Sequence, residues 1–359
     1  MSSIKAYAVI MAGGKGTRFW PESTSQTPKQ YLALFDNQTL IEQTLCRLGD
    51  VIPKNQRTIV TILEQESLAR KLGGPFIHAD GLVFEPEGRN TAPCILLALA
   101  KLEALGANPL DAVAVLPSDH VILNTAGFQN TLREAIQMAA EKRMIFTIGI
   151  PPSFPHTGYG YIKRGAALEG TCFKVDAFCE KPNKQVATEY LKEGGYYWNA
   201  GMFVGTLKCF LEEFEEHAPQ FFQHYNDLKA AAINKTGLAD VYSRFSSDSI
   251  DYALMEKSKK IGVIPARFDW NDLGSWDALE SVVAAKENNF VAQARGLYAL
   301  ESKGNIVFAR DKMVALIGIN DLIVVSNDKS VLIMPKSRSQ DAKKVVEHLS
   351  TKPEFKDLI

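Results

Sequence analysis

Continuous apolar runs separated by helical patterns constrain the fold of this chain more than any other feature of its sequence. The runs lie at Ala6–Met11, Thr58–Leu63, Ala112–Leu116 and Ile145–Ile150. Continuous rather than alternating apolar character is typical of strands that are covered on both faces. Helical patterns follow at Thr39–Leu48, Ala92–Leu105 and Phe128–Ala140. This alternation predicts an α/β fold, with a mostly parallel sheet and helices on both of its faces.

The sequence pattern changes after about Asn288. Short β-rich segments separated by turn residues occupy 296–300, 305–309, 312–319, 321–327 and 330–335, and a final helix is expected at Gln340–Leu349. We therefore predict two domains, residues 1–288 and a small β-rich C-terminal domain at residues 289–359. The tail strands fit the coils of a short left-handed β-helix, with a role in packing or dimerisation.

A glycine-dense turn follows the first predicted strand. Residues 13–18 read Gly-Gly-Lys-Gly-Thr-Arg, and Lys29 comes after a short spacer. Such a turn lets backbone N–H groups approach phosphate, while Arg18 and Lys29 supply positive charge for a polyphosphate. Two other phosphate motifs are excluded: Gly16 stands where a P-loop requires Ser or Thr, and Phe19 where a dinucleotide fingerprint requires glycine.

Charge and cysteine content narrow the class of protein. The formal net charge is -1, so no global basic field favours nucleic acid or an acidic membrane surface. No apolar stretch approaches the roughly 20 residues that a membrane span needs. The five cysteines are odd in number and form no C-x-x-C pair, which argues against a disulfide framework or zinc knuckle. A cytoplasmic location is expected.

Further polar motifs follow predicted strands. Asp119 ends the strand at Ala112–Leu116, and an aspartate at that edge of an α/β sheet is placed to hold Mg²⁺. Glu85 opens a polar turn in which Asn90 or Thr91 can cap the next helix. Its carboxylate could accept two hydrogen bonds from guanine, which adenine cannot donate. Taken singly, each motif fits a structural turn or cap equally well.

In chain order these motifs resemble the sugar-1-phosphate nucleotidyltransferase family. The glycine loop and the later Pro28-Lys29 are similar to its signature, G-G-x-G-x-R-L-x-P followed by P-K. The Phe-Trp after Arg18, the E-P…N-T-A-P element and the W-N-A-G-M-F element resemble the mannose-1-phosphate guanylyltransferase branch. Glu22 departs from the leucine that is common after Pro21. The resemblance implies a Rossmann-like fold of the nucleotide-diphospho-sugar transferase type.

The resemblance also implies roles for individual residues. Arg18, Lys29 and Lys181 are expected to be catalytic. The expected nucleotide-binding residues are Ala12, Gly13, Gly14, Gly16, Thr17, Glu85, Asn90, Thr91 and Ser118. The expected sugar-phosphate residues are Gly158, Glu180, Lys181 and Asn199. Asp119 and Asp272 are the expected Mg²⁺ ligands, with Asp269 as the rival of Asp272 and Glu87 as the rival of Glu85.

The activity implied is the formation of GDP-mannose and diphosphate from GTP and mannose 1-phosphate, with Mg²⁺, in a homodimer. Another sugar or nucleotide remains open as an alternative. A catalytically silent regulatory relative is disfavoured, because its phosphate and metal residues should be lost. An additional phosphomannose isomerase domain is rejected, because residues 290–359 are too few and contain only His348 as a histidine.

Overall fold

The protein is described from a computed structural model, which covers residues 4–14, 16–234 and 236–359. The chain forms two compact units. The first comprises Met1–Gly13, Leu45–Pro117 and Ile122–Asp269, and the second comprises Gly14–Thr44, Ser118–Val121 and Trp270–Ile359. Each unit contains its own sheet. The division at residue 288 stays a prediction.

The first unit is built on a nine-stranded sheet. Its strands are β1 (Ala6–Met11), β2 (Arg57–Ile62), β3 (Leu82–Glu85), β4 (Ala112–Pro117), β5 (Ile145–Ile150), β6 (Tyr161–Ala167), β7 (Phe173–Cys179), β8 (Tyr196–Thr206) and β9 (Ile261–Pro265), in the order β3-β2-β1-β4-β8-β5-β9-β7-β6. Of these described strands, only β7 and β8 run against the others. The prediction of a mostly parallel sheet is confirmed.

The apolar runs of the sequence form strands of the sheet that are covered on both faces. All four predicted strands are present within one residue of their predicted bounds, as β1, β2, β4 and β5. Every residue of β2 and of β5 is buried. Burial of this extent favours mainly apolar residues, which is the pattern of the predicted runs, and the guanidinium of the buried Arg57 in β2 donates to backbone carbonyls.

The α-helices connect and cover these strands. The described helices are α1 (Leu40–Arg47), α2 (Glu66–Leu68), α3 (Thr91–Ala104), α4 (Thr125–Lys142), α5 (Lys184–Glu193), α6 (Leu207–His217), α7 (Pro219–Phe222), α8 (Tyr225–Asn234), α9 (Leu238–Tyr242) and α10 (Ala342–Ser350). The three helices predicted in the first half correspond to α1, α3 and α4. Within the described residues, no helix combines the length and apolar character that crossing a bilayer requires.

The second unit contains the β-rich tail. Its sheet is β10 (Ala285–Lys286), β11 (Asn289–Leu300), β12 (Ile306–Ile317), β13 (Leu322–Ser326) and β14 (Val331–Pro335), paired in that order. The prediction of separate strands at 305–309 and 312–319 was wrong, because both segments belong to β12. The strand continues through Asp311, whose φ is +60°. The strands β11, β12 and β13 run parallel, and the left-handedness of the β-helix stays a prediction.

A hydrophobic cluster in the second unit joins the segment after the glycine loop to the tail. The rings of Phe19 and Trp276 lie 4.9 Å apart, and the Trp276 indole donates to the carbonyl oxygen of Trp20 at 3.0 Å. Phe308 of β12 and Ala342 of α10 are buried in the same cluster. The position of the loop therefore depends on the packing of the tail.

Candidate active site

The glycine loop packs directly on the lysine that follows it. Gly16 has φ +62°, and a Cβ there would overlap the Cβ of Lys29. Only glycine fits at this close approach. A 3-10 turn at Thr17–Phe19 follows at once and leaves Arg18 exposed. Lys15 of the predicted motif lies outside the described residues.

Three other predicted nucleotide-binding residues follow strands β1 and β4 in the chain. Ala12 is buried, and its N–H donates to the carbonyl oxygen of Val60 at 2.8 Å. Gly14 is exposed, and its carbonyl accepts from the Gln30 amide at 3.1 Å. Ser118 is buried directly after β4. These contacts fix the backbone on either side of the loop.

Lys29 links the two predicted metal ligands. Its side chain is only 7% exposed. The ammonium group donates to Oδ2 of Asp119 at 2.9 Å and to the backbone carbonyl of Asp272 at 2.6 Å. The Arg18 guanidinium donates to the carbonyl oxygen of Gly274 at 3.3 Å. Two cations and two aspartates therefore converge within the second unit.

A cavity of about 450 Å³ opens at this point of the second unit. Its lining includes six predicted site residues: Gly16, Thr17, Arg18, Lys29, Asp119 and Asp272. The remaining lining residues are Phe19, His120, Leu273, Gly274 and Lys343. The volume is in the range of small-molecule sites. Motifs far apart in the sequence thus meet in one cavity.

The aspartates of this cavity suit a hard divalent cation. Burial opposes ionisation of Asp119, but the charge of Lys29, the neighbouring His120 and the hydrogen bond from Lys29 together outweigh it and hold the pKa of that carboxyl below its ordinary value. Asp119 is therefore ionised at neutral pH and lines the cavity together with Asp272. Two carboxylates with room for phosphate oxygens form a donor set that Mg²⁺ accepts.

Asp269 has a structural role in the first unit. Its Oδ2 accepts the N–H of Leu123 at 2.7 Å, and its Oδ1 accepts the N–H of Asn124 at 2.6 Å. The Asn124 side chain in turn caps α4 by accepting the N–H of Gly127 at 2.9 Å. Both carboxylate oxygens of Asp269 are engaged in this turn, whereas Asp272 lines the cavity of the glycine loop.

One group of three possible metal ligands lies on α6 among the described residues: Glu213, Glu216 and His217. Glu213 is buried and lies 3.1 Å from the Lys260 ammonium and 3.3 Å from His217. Because Lys260 compensates the buried carboxylate, the group needs no ion for its charge balance.

Glu85, the predicted base-recognition residue, is a buried carboxylate in the first unit. It is 3% exposed, and its Oε1 accepts from the Tyr242 hydroxyl at 3.0 Å. Burial raises the pKa of Glu85 to about 7, against the opposing hydrogen bonds from Tyr242 and Cys94. A Cβ on Gly13 would lie 3.5 Å from Oε2 of Glu85. Glu85 can therefore change its charge near neutral pH, beside the backbone of Gly13.

The rest of the polar turn is held by contacts of its own. Glu87, the alternative carboxylate, is 52% exposed and pairs with Arg89. Asn90 caps α3, because its side-chain oxygen accepts the N–H of Thr91 at 2.8 Å. The Thr91 hydroxyl oxygen accepts the N–H of Ile250 at 2.8 Å. The predicted helix cap is confirmed, and it engages both residues that were also predicted to bind the base.

The predicted sugar-phosphate residues form a network in the first unit. The Lys181 ammonium lies 2.6 Å from Oε1 of Glu180, whereas Oε2 of Glu180 is buried without a hydrogen-bond partner among the described residues. The Asn199 amide donates to Asp251 at 2.8 Å. Burial, and then the charge of Glu180, raise the pKa of Asp251 to about 6. A buried acceptor without a partner fits a ligand hydroxyl.

Aromatic rings surround the turn at Gly158. Its N–H donates to Nδ1 of His156 at 3.1 Å, and the ring of Tyr159 stacks on His156 with centroids 3.8 Å apart. Trp198 packs against Tyr159 at 5.2 Å between centroids. Its indole N–H is buried without a partner in the part of the chain that the structure describes. Apolar ring faces beside a free donor suit the mixed surface of a sugar.

Two charged residues of these groups that the sequence analysis missed are Asp251 and Lys343. Asp251 contacts Asn199, and the signal that could have revealed it is a lone carboxylate at the start of the apolar stretch Asp251–Met255. Lys343 lines the phosphate-loop cavity from the first turn of α10. Lys343 stands next to Lys344, and two adjacent lysines in a helix are the usual pattern of surface charge, so the sequence contains no signal of a site residue.

Comparison with known proteins adds independent information. Residues 7–289 match the family described as nucleotidyl transferase, and residues 297–349 match a MannoseP isomerase/GMP-like beta-helix domain. A mannose-1-phosphate guanylyltransferase of Klebsiella pneumoniae is 37% identical over 348 residues, covering 95% of this chain and 73% of the relative. The alginate biosynthesis protein AlgA of Pseudomonas aeruginosa is 38% identical over 362 residues, covering 95% and 71%.

A solved structure is also similar over nearly the whole chain. It comes from Thermus thermophilus and is described as a mannose-1-phosphate geranyltransferase. The TM-score is 0.89 at 34% sequence identity, and the match covers 97% of this chain and 100% of the other. The similarity therefore extends over both the sheet of the first unit and the β-rich tail.

Proposed function

Because the chain belongs to the nucleotidyl transferase family, we propose that it acts as a mannose-1-phosphate guanylyltransferase. The reaction converts GTP and mannose 1-phosphate to GDP-mannose and pyrophosphate. The observation that carries the proposal is the convergence of Arg18, Lys29, Asp119 and Asp272 on one cavity. A relative that only bound a sugar nucleotide would not need this set of charges, so their presence supports catalysis.

The proposed chemistry is an in-line displacement at phosphorus. An oxygen of the sugar phosphate attacks the α-phosphorus of GTP, and the bond from that phosphorus to the oxygen bridging the β-phosphate breaks as pyrophosphate leaves. The nucleophile is already an anion at neutral pH, so no general base is needed. Lys29 and Arg18 bind the phosphates, where charge-assisted hydrogen bonds stabilise the negative charge of the transition state.

Mg²⁺ is part of the proposal, with Asp119 and Asp272 as its protein ligands. When bound, the ion reduces the negative charge on the phosphates of the nucleotide. Lys29 contacts both residues and therefore acts as well by positioning them.

Base recognition is assigned to the first unit. Glu85 accepts hydrogen bonds from the N1–H and 2-amino groups of guanine when it is ionised. Its burial supports this role, because a buried carboxylate discriminates strongly between partners that can and cannot donate to it. The other members of the proposed nucleotide-binding set are Asn90, Thr91, Ser118, Ala12, Gly13, Gly14, Gly16 and Thr17.

Sugar recognition is assigned to Gly158, Glu180, Lys181 and Asn199. The unpartnered Oε2 of Glu180 supports contact with a sugar hydroxyl. The Lys181 side chain is 61% exposed, so its ammonium group can exchange Glu180 for the phosphate of the sugar. A full charge on Lys181 offsets part of the repulsion between two anionic substrates.

A homodimer is proposed on the basis of the tail. Large apolar side chains are exposed on three of its strands: Tyr298 and Leu300 of β11, Met313 and Ile317 of β12, and Val331 and Ile333 of β14. An apolar surface of this kind is typical of an interface. Light scattering should give twice the mass of the chain, and Ile317→Asp should reduce it to one chain.

A cytoplasmic location belongs to the same proposal. All five cysteines are free thiols in the structure. Free thiols are retained in a reducing compartment, whereas exported proteins more often pair them.

A substrate panel tests the proposed function. The purified chain is incubated with Mg²⁺ and each of GTP, ATP, UTP and dTTP, together with mannose 1-phosphate or glucose 1-phosphate, and pyrophosphate release is measured. GTP with mannose 1-phosphate should be the most efficient pair. Preference for UTP or dTTP with glucose 1-phosphate would indicate a related transferase, and no release from any pair would indicate a silent binding protein.

A further inference from the structure

The tail helix contributes a cation to the cavity of the glycine loop. We propose that Lys343 binds the β- and γ-phosphates of the nucleotide and the pyrophosphate that they become. This inference rests on the proposed function and extends it, because it makes the β-rich tail part of the substrate site.

The packing of α10 determines where Lys343 lies. Ala342 is buried, and Val345, Val346 and Leu349 pack against the cluster that contains Phe19. The four helix residues form an apolar stripe with helical spacing. The helix also packs against the 3-10 turn that carries Arg18. Since the stripe fixes the rotation of the helix, Lys343 is held at the cavity rather than elsewhere on the surface.

The charge balance of the cavity shows what Lys343 adds. Among its lysine, arginine and aspartate side chains, Arg18 and Lys29 are balanced by Asp119 and Asp272, so Lys343 supplies the net positive charge. The lining includes none of the residues predicted to bind the base or the sugar hydroxyls. A polyphosphate is the anionic part of the substrates that such a lining would attract.

The surroundings of Lys343 differ from those of its neighbour Lys344. Across the part of the chain that the structure describes, no carboxylate pairs with it, and its side chain is exposed. Lys344, the next residue on the same helix, pairs instead with Asp341 at 2.8 Å. The two adjacent lysines have the same chemistry and differ in surroundings, so Lys344 provides a matched control.

Calorimetry with inorganic pyrophosphate tests this role without turnover. Magnesium pyrophosphate and, separately, GMP are titrated into the full-length wild type, Lys343→Ala, Lys343→Arg and Lys344→Ala. Lys343→Ala should weaken pyrophosphate binding about three- to tenfold, the range expected for one phosphate contact at an exposed site. GMP binding should not change. Lys343→Arg should bind pyrophosphate within about twofold of the wild type, and Lys344→Ala should match it.

Steady-state kinetics of the same variants distinguish a loss of substrate binding from a general loss of activity. Lys343→Ala should raise the KM for GTP, and the KM for pyrophosphate in the reverse reaction, by a similar factor, while the KM for mannose 1-phosphate stays unchanged. Wild-type pyrophosphate affinity in Lys343→Ala would overturn the role of Lys343. The role of Lys343 would also be overturned if Lys344→Ala lost as much pyrophosphate affinity, or if Lys343→Ala lost as much GMP affinity, because the effect would then be unspecific.

The same experiment distinguishes this inference from the function on which it rests. Pyrophosphate is a product of every nucleotidyl transfer of this type, so its binding does not depend on which base or sugar is used. A wild type that binds no pyrophosphate overturns the proposed function and the role of Lys343 together. A wild type that makes GDP-mannose, with a Lys343→Ala variant of normal pyrophosphate affinity, overturns the role of Lys343 alone.

Discussion

The ammonium group of Lys29 lies 2.9 Å from Oδ2 of Asp119, at the cavity that both residues line. The same group donates to the backbone of Asp272 at 2.6 Å. One buried lysine therefore joins the two aspartates that are expected to hold Mg²⁺, although the three residues are widely separated in sequence. This lysine should affect both phosphate binding and the placement of the metal ligands.

Removal of either loop cation should slow catalysis. Lys29→Ala and Arg18→Ala should each reduce kcat/KM by about tenfold to a thousandfold, because each loses charge-assisted contacts with phosphate. Lys29→Ala should have the larger effect, since Lys29 also positions Asp119. Wild-type kinetics in either variant would show that the glycine loop does not bind the substrate phosphates.

Substitution of a predicted metal ligand should weaken metal binding, whereas substitution of the rival Asp269 should lower thermal stability. Asp119→Asn and Asp272→Asn should weaken Mn²⁺ binding, measured by electron paramagnetic resonance, and abolish most turnover. Asp269→Asn should leave Mn²⁺ affinity near that of the wild type and lower thermal stability instead, because it weakens the turn that begins α4. A metal affinity that depends on Asp269 rather than Asp272 would reverse the assignment.

Much of this arrangement is predictable from sequence because it depends on local patterns. Continuous apolar runs indicate β1 and β4, and strand topology then brings the residues that follow them to one edge of the sheet. The glycine requirement at residue 16 also has a local cause, the left-handed backbone beside Lys29.

Other features depend on tertiary packing and have no local signature. Lys343 and Lys344 are adjacent and chemically identical, and only the packing of α10 gives them different surroundings. Strand β12 was predicted as two segments because Arg310 and Asp311, which lie between them, have the composition of a turn. Pairing with β11 on both sides of these residues keeps the strand continuous.

Guanine preference should depend on the buried carboxylate. At a pH above about 8, where Glu85 is ionised, Glu85→Gln should reduce the ratio of kcat/KM for GTP to that for ATP by about a hundredfold, because an unsatisfied buried charge costs on the order of a few kcal/mol with adenine. Glu87→Gln is the matched control, since its side chain is exposed and paired with Arg89. An unchanged ratio in Glu85→Gln would transfer base recognition to backbone groups or to Asn90 and Thr91.

The pH dependence of stability should also report on Glu85. Burial raises the pKa of Glu85 to about 7, so the folded chain holds this proton more tightly than the unfolded chain does. The stabilisation of the folded chain by this bound proton is complete at low pH and is lost as pH rises from about 4.5 through about 7. Urea unfolding should show the wild type losing more stability between about pH 5 and 8 than Glu85→Gln, by roughly 3 kcal/mol. Parallel profiles would show that Glu85 does not titrate in this window.

The central claim is tested most directly by identifying the product. The purified wild-type chain is mixed with GTP, mannose 1-phosphate and Mg²⁺, and the products are resolved by anion-exchange chromatography and mass spectrometry. The account predicts GDP-mannose and pyrophosphate in equal amounts, with none formed when a chelator removes the metal. Absence of GDP-mannose under these conditions, with another sugar nucleotide formed from a different substrate pair, would contradict it.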